Sequence, residues 1–338
     1  MIQKLINLTK LKSSPEKAFV LGFVYAIMGT LVAFFLFPSY IGIVSVFFTS
    51  MAIMPLISRL IEEIALKEGR EREIKKGGIT LTEFHLRSRK FSAKGLWQDN
   101  KHLIQVYLFS FFGIFLLFSA IIFVLPQKNG DYEGLINITL IRGGEEIVIT
   151  DEYILKEQFE AYDRIRGKNT TGDAIGSAVE TNIEEQCFLG DCEKFDFFIA
   201  IIKNNLWVLI VMFLVSLIYG FGAMFIITWN ASVWGMVFAN RSLELAPIAG
   251  KNPIVFFGLL MLNVLPHTAL EALTYFTAAI SGGIASQGIT KEGFESERFE
   301  RILTHAFILI IISLILLILA AFTETYVFSY IESIIPKY

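Results

Sequence analysis

Apolar runs about as long as a bilayer is thick recur along this chain, at residues 18–37, 41–57, 103–125, 206–228, 252–287 and from 304 onward. A coiled run of about 20 residues spans the roughly 30 Å of hydrocarbon. Lipid offers no partner to a backbone N–H or C=O, so each crossing segment must close its own hydrogen bonds, and a helix does so within one segment. The composition agrees: 54% of the 338 residues are hydrophobic and 18% charged, with a mean hydropathy of +0.59. The sequence predicts an all-α polytopic integral membrane protein with one small extracytoplasmic α+β domain, its surroundings being the lipid bilayer.

Charge sets the expected orientation. Residues 1–57 form an N-terminal segment and a membrane hairpin; the segment carries four lysines against one acid before residue 18, and Pro38-Ser39-Tyr40 is the turn between the two spans. Residues 58–102 form a charged loop with eleven Lys/Arg against seven Asp/Glu. Excess Lys/Arg marks the cytoplasmic side, so the N-terminus and this loop are expected there, in the cell membrane. Residues 59–76 are expected to prolong the second span as a solvated helix, stopped by Gly77-Gly78. No cleavable signal peptide is expected, since no small-residue cleavage site follows the first run.

After a span at 103–125 the bias reverses. Residues 126–196 hold sixteen acids against seven Lys/Arg and are expected to be the extracytoplasmic domain. Ile136, Ile138 and Leu140 alternate with polar residues before Gly143-Gly144, and Ile147 and Ile149 alternate after it, the pattern of a β-hairpin. Residues 152–166 read as a helix. Cys187 and Cys192 bracket a short loop that a disulfide would close in an oxidising compartment; two free thiols are the alternative.

Residues 197–338 form the C-terminal membrane bundle. Span four is expected at 206–228, ended by Trp229-Asn230 at the interface, with 231–245 along or dipping into it. Within 252–287 the apolar run carries Pro266, His267 and Glu271. Proline lacks an N–H and clashes with the preceding turn, so a broken helix near Pro266 is expected. Its length favours a pair of half-helices entering and leaving on one side over a single crossing. His267 and Glu271 are four residues apart and share a face. Ionisable groups in lipid cost roughly 2.5–3.5 kcal/mol or more unless they face protein or water. An intramembrane polar cluster of Asn204, Asn205, Asn230, His267, Glu271 and Glu324 is therefore expected, either locking the bundle or lining a pathway for an ion or solute.

Other chemistries find little support. A metal site from His267, Glu271 and Glu324 is not expected, because the HxxxE spacing has low specificity and no cysteine adds to it. The chain has no nucleophile elbow, phosphate-binding loop, dinucleotide fingerprint or zinc-protease motif, so neither enzymatic activity nor a cofactor is expected. Its basic residues are interspersed with acids, which argues against a nucleic-acid partner.

The residues Asn204-Asn205, Trp229-Asn230, Trp234-Gly235, Leu265-Pro266-His267 with Glu271, and Glu324 together resemble the stage II sporulation protein M (SpoIIM) family in its archaeal-type form. The family's usual motif is Pro-His-Gly; Thr268 stands here in place of that glycine. The resemblance covers most of the chain outside 126–196. It implies a non-enzymatic scaffold or assembly factor in a membrane complex, with a homo-oligomer or other membrane proteins as partners. The alternative from the residues themselves is a channel or secondary transporter using the His267/Glu271 site at a broken helix.

Overall fold

A computed structural model describes residues 14–69, 74–76, 79–81, 93–128, 132–142, 145–165, 194–292 and 296–328. Its elements run α1 Lys17–Leu36, α2 Ile41–Gly69, β1 Ile74–Lys76, β2 Ile79–Leu81, α3 Ala93–Val124, β3 Ile138–Arg142, β4 Glu145–Ile149, α4 Asp151–Ile165, α5 Lys194–Tyr219, α6 Ala223–Leu245, α7 Pro253–Lys291 and α8 Glu297–Phe322, with a π-helical turn at Thr323–Phe328. Among the described residues six helices, α1, α2, α3, α5, α7 and α8, are long and apolar enough to cross a membrane.

Small residues decide where these helices touch. On α1, Ala18, Gly22, Ala26, Gly29 and Ala33 form the buried stripe, while Val20, Val24, Met28, Leu31 and Phe35 form the exposed one. Gly22 lies against the Ser110 backbone of α3, and Gly113 of α3 lies against the Phe19 backbone of α1. Apolar tails solvate leucine as well as another helix does, so close packing of backbones supplies the attraction. The expected turn at residues 38–40 separates α1 from α2. Helix α2 stops at Gly69, and residues 74–76 pair with 79–81 as antiparallel strands. The solvated helix is therefore shorter than expected: glycine is a poor helix former, and 74–76 go into the strand pairing instead.

The expected fourth span also divides differently. Helix α5 starts at Lys194 and ends at Tyr219, because Gly220 adopts φ +70°, the left-handed cap that glycine provides at helix ends. Residues 223–245 then form α6, one helix that covers both the end of the expected span and the segment after it, with thirteen buried residues. It runs from beside Ser286 and Gln287, which flank Gly220, to Asn240, which accepts from Gln127 Nε2 at 3.1 Å just past the end of α3. Its middle is pinned where Ser119 Oγ donates to Gly235 O at 3.0 Å.

Helix α7 corrects the expectation at Pro266. Residues 253–291 form one unbroken helix with Pro266 inside it. Asn252 caps its start by accepting from Ile254 N at 2.9 Å, and Pro253 occupies the first turn, where its missing N–H is not needed. A break would leave up to four N–H and four C=O groups unpaired in an apolar setting; continuing the helix costs one hydrogen bond and some strain, ~3 kcal/mol. Pro266 lies on an exposed face, where its ring has room. The half-helix pair is thus replaced by a single passage. At 1.5 Å per residue the helix is about 58 Å long, so it crosses obliquely or projects. Lys291 pairs with Glu62, which puts the α7–α8 connection and the α2 terminus at one end of the bundle. That arrangement was expected only for a re-entrant pair; here α6 runs between the two ends of the bundle before α7 begins.

At the opposite end, β3 and β4 form the expected antiparallel hairpin, with Ile138 facing Ile149 and Arg142 facing Glu145. Helix α4 follows, with Thr150 Oγ1 accepting from Tyr153 N at 3.2 Å. Among the described residues this cap packs onto the bundle. Ile149, Ile154 and Leu155 join the hydrophobic core of the bundle. Gly42 N donates to Glu157 at 3.0 Å, and the buried Gln158 donates to Ser232 Oγ of α6 at 3.2 Å.

Candidate functional site: a polar face inside the bundle

His267, Glu271 and Tyr275 follow one another at four-residue spacing on α7, so they form one stripe along the helix. The Tyr275 hydroxyl lies 2.7 Å from Glu271 Oε1 and 2.9 Å from Asn205 Oδ1 of α5. The contact joins two helices deep in the bundle, since Tyr275 and Asn205 are both buried. A phenol has one hydrogen to donate. Two arrangements satisfy all three groups. Either a neutral Glu271 donates to the phenol and the phenol donates to Asn205, or the phenol donates to a Glu271 carboxylate while Asn205 turns its amide N–H toward the phenol. Each is a closed chain with no unpaired polar atom at its centre.

Glu324 lies within electrostatic range of Tyr275. It is carried by the π-helical turn Thr323–Phe328, whose Tyr326 ring packs on Phe198 of α5 at 6.2 Å. Widened turns of this kind recur at functional sites. Asn205, Glu271, Tyr275 and Glu324 are therefore gathered from α5, α7 and the turn after α8, with His267 one turn away. Asn204 points elsewhere: it is exposed, as one helical step from a buried Asn205 requires. Asn230 Nδ2 donates to Ile226 O of its own helix at 3.0 Å and lines a neighbouring cavity with Tyr275, Ala272 and Trp234. That cavity measures about 10 Å³, barely the room of one water molecule.

Tyr275 is the residue that sequence reasoning missed. Its signal was present: a tyrosine in a buried apolar helix must find a partner for its hydroxyl, and it stands four residues after Glu271. His305 is buried and lies 3.2 Å from the Asn100 amide, tying α8 to α3. Among the described residues no group of three or more His, Cys, Asp or Glu side chains could hold a metal. Cys187 and Cys192 lie outside the described residues.

A second polar cluster holds the cap. Asp151 is buried and accepts from Glu152 N at 2.6 Å, while its own N–H donates to Pro126 O at 3.1 Å. Burial pushes its carboxyl up to about 6, against the pull of these backbone donors. Lys128 and Glu152 form an exposed ion pair at 2.8 Å, and that hydrogen bond raises the lysine.

Residues 90–328 match the family model SpoIIM, described as Stage II sporulation protein M. No curated protein and no solved structure matches the chain.

Proposed function

The chain belongs to the SpoIIM family, and from that premise we propose that it is a multi-pass protein of the cell membrane acting as a non-enzymatic scaffold or assembly factor for other membrane proteins. In this reading the Asn205–Tyr275–Glu271 chain is a lock that holds α5 and α7 together. The observation that carries it is the closed hydrogen bonding of a buried phenol between two helices, beside a cavity of about 10 Å³. The Lys/Arg excess of residues 58–102 favours an orientation with that loop and the N-terminus cytoplasmic, and the acidic 126–196 outside.

A second reading is a channel or secondary transporter. It is favoured by Glu324 on its π-helical turn near Tyr275, a pair of carboxylates around one phenol that could exchange a proton or hold a cation. The continuous α7 weighs against the half-helix form of such a site. The two readings differ in water. Ala272 is buried and lines the cavity. With Cys187 and Cys192 replaced by serine, a single Ala272→Cys is expected to resist a small membrane-impermeant thiol reagent from both sides. Rapid labelling from either side would replace the lock with a water-filled pathway.

A further inference from the structure

Asn-x-Ser/Thr triplets, the acceptor pattern for an N-linked glycan, begin at Asn7, Asn137, Asn169, Asn230 and Asn240. Triplets this short arise readily by chance, so the fold has to choose among them. Asn7 and Asn169 lie outside the described residues. The triplets at Asn230 and Asn240 lie within α6, and their hydroxyls, on Ser232 and Ser242, are fully buried. Asn240 is itself buried and is held by Gln127 and Glu244. Neither triplet offers its hydroxyl to a second protein.

Asn137-Ile138-Thr139 differs. It lies outside the helices, where β3 begins, and Asn137 and Thr139 are both exposed. The hairpin register explains the exposure. Thr139 stands opposite Val148 and Leu140 opposite Ile147, so Thr139, Ile141 and Val148 share one face, and Leu140, Ile147 and Ile149 share the other. The second face meets the bundle: Leu140 and Ile147 pack on its core, and Ile149 is part of it. The first face is turned outward, with Ile141 74% and Val148 51% exposed. A sugar attached beside this face would give polar cover to two apolar side chains that the bundle leaves open.

We propose that Asn137 is an N-glycosylation site. The inference rests on the orientation proposed above, with 126–196 outside the cell, since acceptor triplets are used on that side of the membrane. The amide nitrogen of Asn137 bonds to the anomeric carbon of a sugar carried on a lipid phosphate. The bond from that carbon to the phosphate oxygen breaks, the lipid phosphate leaves with the electron pair, and the amide gives up one proton. A membrane-bound transferase brings acceptor and lipid-linked glycan together and reads the Thr139 hydroxyl.

The test uses the full chain purified from the membranes of its native cell. It reads the mass of the peptide that holds Asn137, which separates this triplet from the one at Asn169. A glycan is expected on that peptide, lost completely in Asn137→Gln and in Thr139→Ala and kept in Thr139→Ser. Thr139→Ala leaves the asparagine in place, and both positions are exposed, so the core is untouched. Sidedness is read separately. With Cys187 and Cys192 replaced by serine, a single Glu133→Cys, at an exposed position of the same segment, is expected to take up a membrane-impermeant thiol reagent from outside. A bare Asn137 peptide with Glu133→Cys labelled from outside would overturn the site and leave the orientation standing. Labelling only from the cytoplasmic side would overturn both. A glycan that survives Thr139→Ala, or one found at Asn169 alone, would also overturn the site.

Discussion

The two halves of α7 share one helix and follow opposite rules. Residues 272–288 are almost entirely buried and rich in alanine, glycine and serine; in 253–271 only Val264 is buried. Yet the most apolar stretch of the helix lies in the exposed half. In water the more hydrophobic half would be the inner one. In a membrane, side-chain volume sorts the halves instead, because leucine gains nothing by leaving lipid while small residues gain contact by letting backbones approach.

The sharpest way to break this comparison is to put the same bulk into both halves. A Cβ at Gly282 would run into the Phe213 carbonyl of α5. Gly282→Leu is expected to cost about 3 kcal/mol or to prevent folding, read as thermal unfolding in detergent. Gly258→Leu in the other half should leave unfolding unchanged. Equal losses would mean that volume does not sort the halves.

The polar chain at the junction of the halves gives the next largest effect. Tyr275→Phe removes the hydroxyl between Glu271 and Asn205 and leaves the buried Asn205 and the half-buried Glu271 without that partner, a loss of about 2 kcal/mol. Glu271→Gln should cost much less than Glu271→Ala, since a glutamine amide can still donate to the phenol. Similar losses for both substitutions at 271 would argue against a closed hydrogen-bonded lock.

Much of this was legible in the sequence, and each miss has its own physical reason. Lengths of apolar runs located the spans, the glycine-centred alternation located β3 and β4, and the residues around Pro266-His267 carried the family resemblance that the match over 90–328 bears out. Pro266 misled because its local preference was weighed without the cost of unpaired backbone in an apolar setting, which favours an unbroken helix. Gly220 fell inside the apolar run expected to be one span at 206–228, whereas its positive φ ends α5. Tyr275 was hidden because in a run of apolar residues its ring counts as one more hydrophobe. Only for Tyr275 did the deciding hydrogen bond have a partner far away in sequence, Asn205.

Acidity should separate the cap from the bundle. Asp151 stands at about 6 in the folded chain against its ordinary 3.8, so the folded state holds this proton more tightly. Its contribution is fully favourable below about pH 3.8, declines as pH rises through about 6, and is lost above that. Asp151→Asn keeps an oxygen for the Glu152 N–H and should remove that dependence, gaining up to about 2 kcal/mol at neutral pH. The measurement is the unfolding midpoint between pH 4 and 8 for both chains. Parallel curves would mean that the burial of Asp151 is relieved in solution.

The smallest effect tests the far end of the buried half. Lys291 and Glu62 are each about two-fifths exposed, so water screens their attraction and holding two flexible side chains together offsets part of it. Lys291→Met should cost about 0.5 kcal/mol, and less in high salt. A double-mutant cycle with Glu62→Gln isolates the pair from the other effects of each change. A coupling of this size that fades with salt fits an ion pair at the water-facing end, where α7 leaves the bundle beside α2. A coupling of several kcal/mol, insensitive to salt, would put the pair inside the low-dielectric region; the buried half of α7 would then extend to the end of the helix, and the division between its halves would mark lipid-facing against protein-facing surface alone.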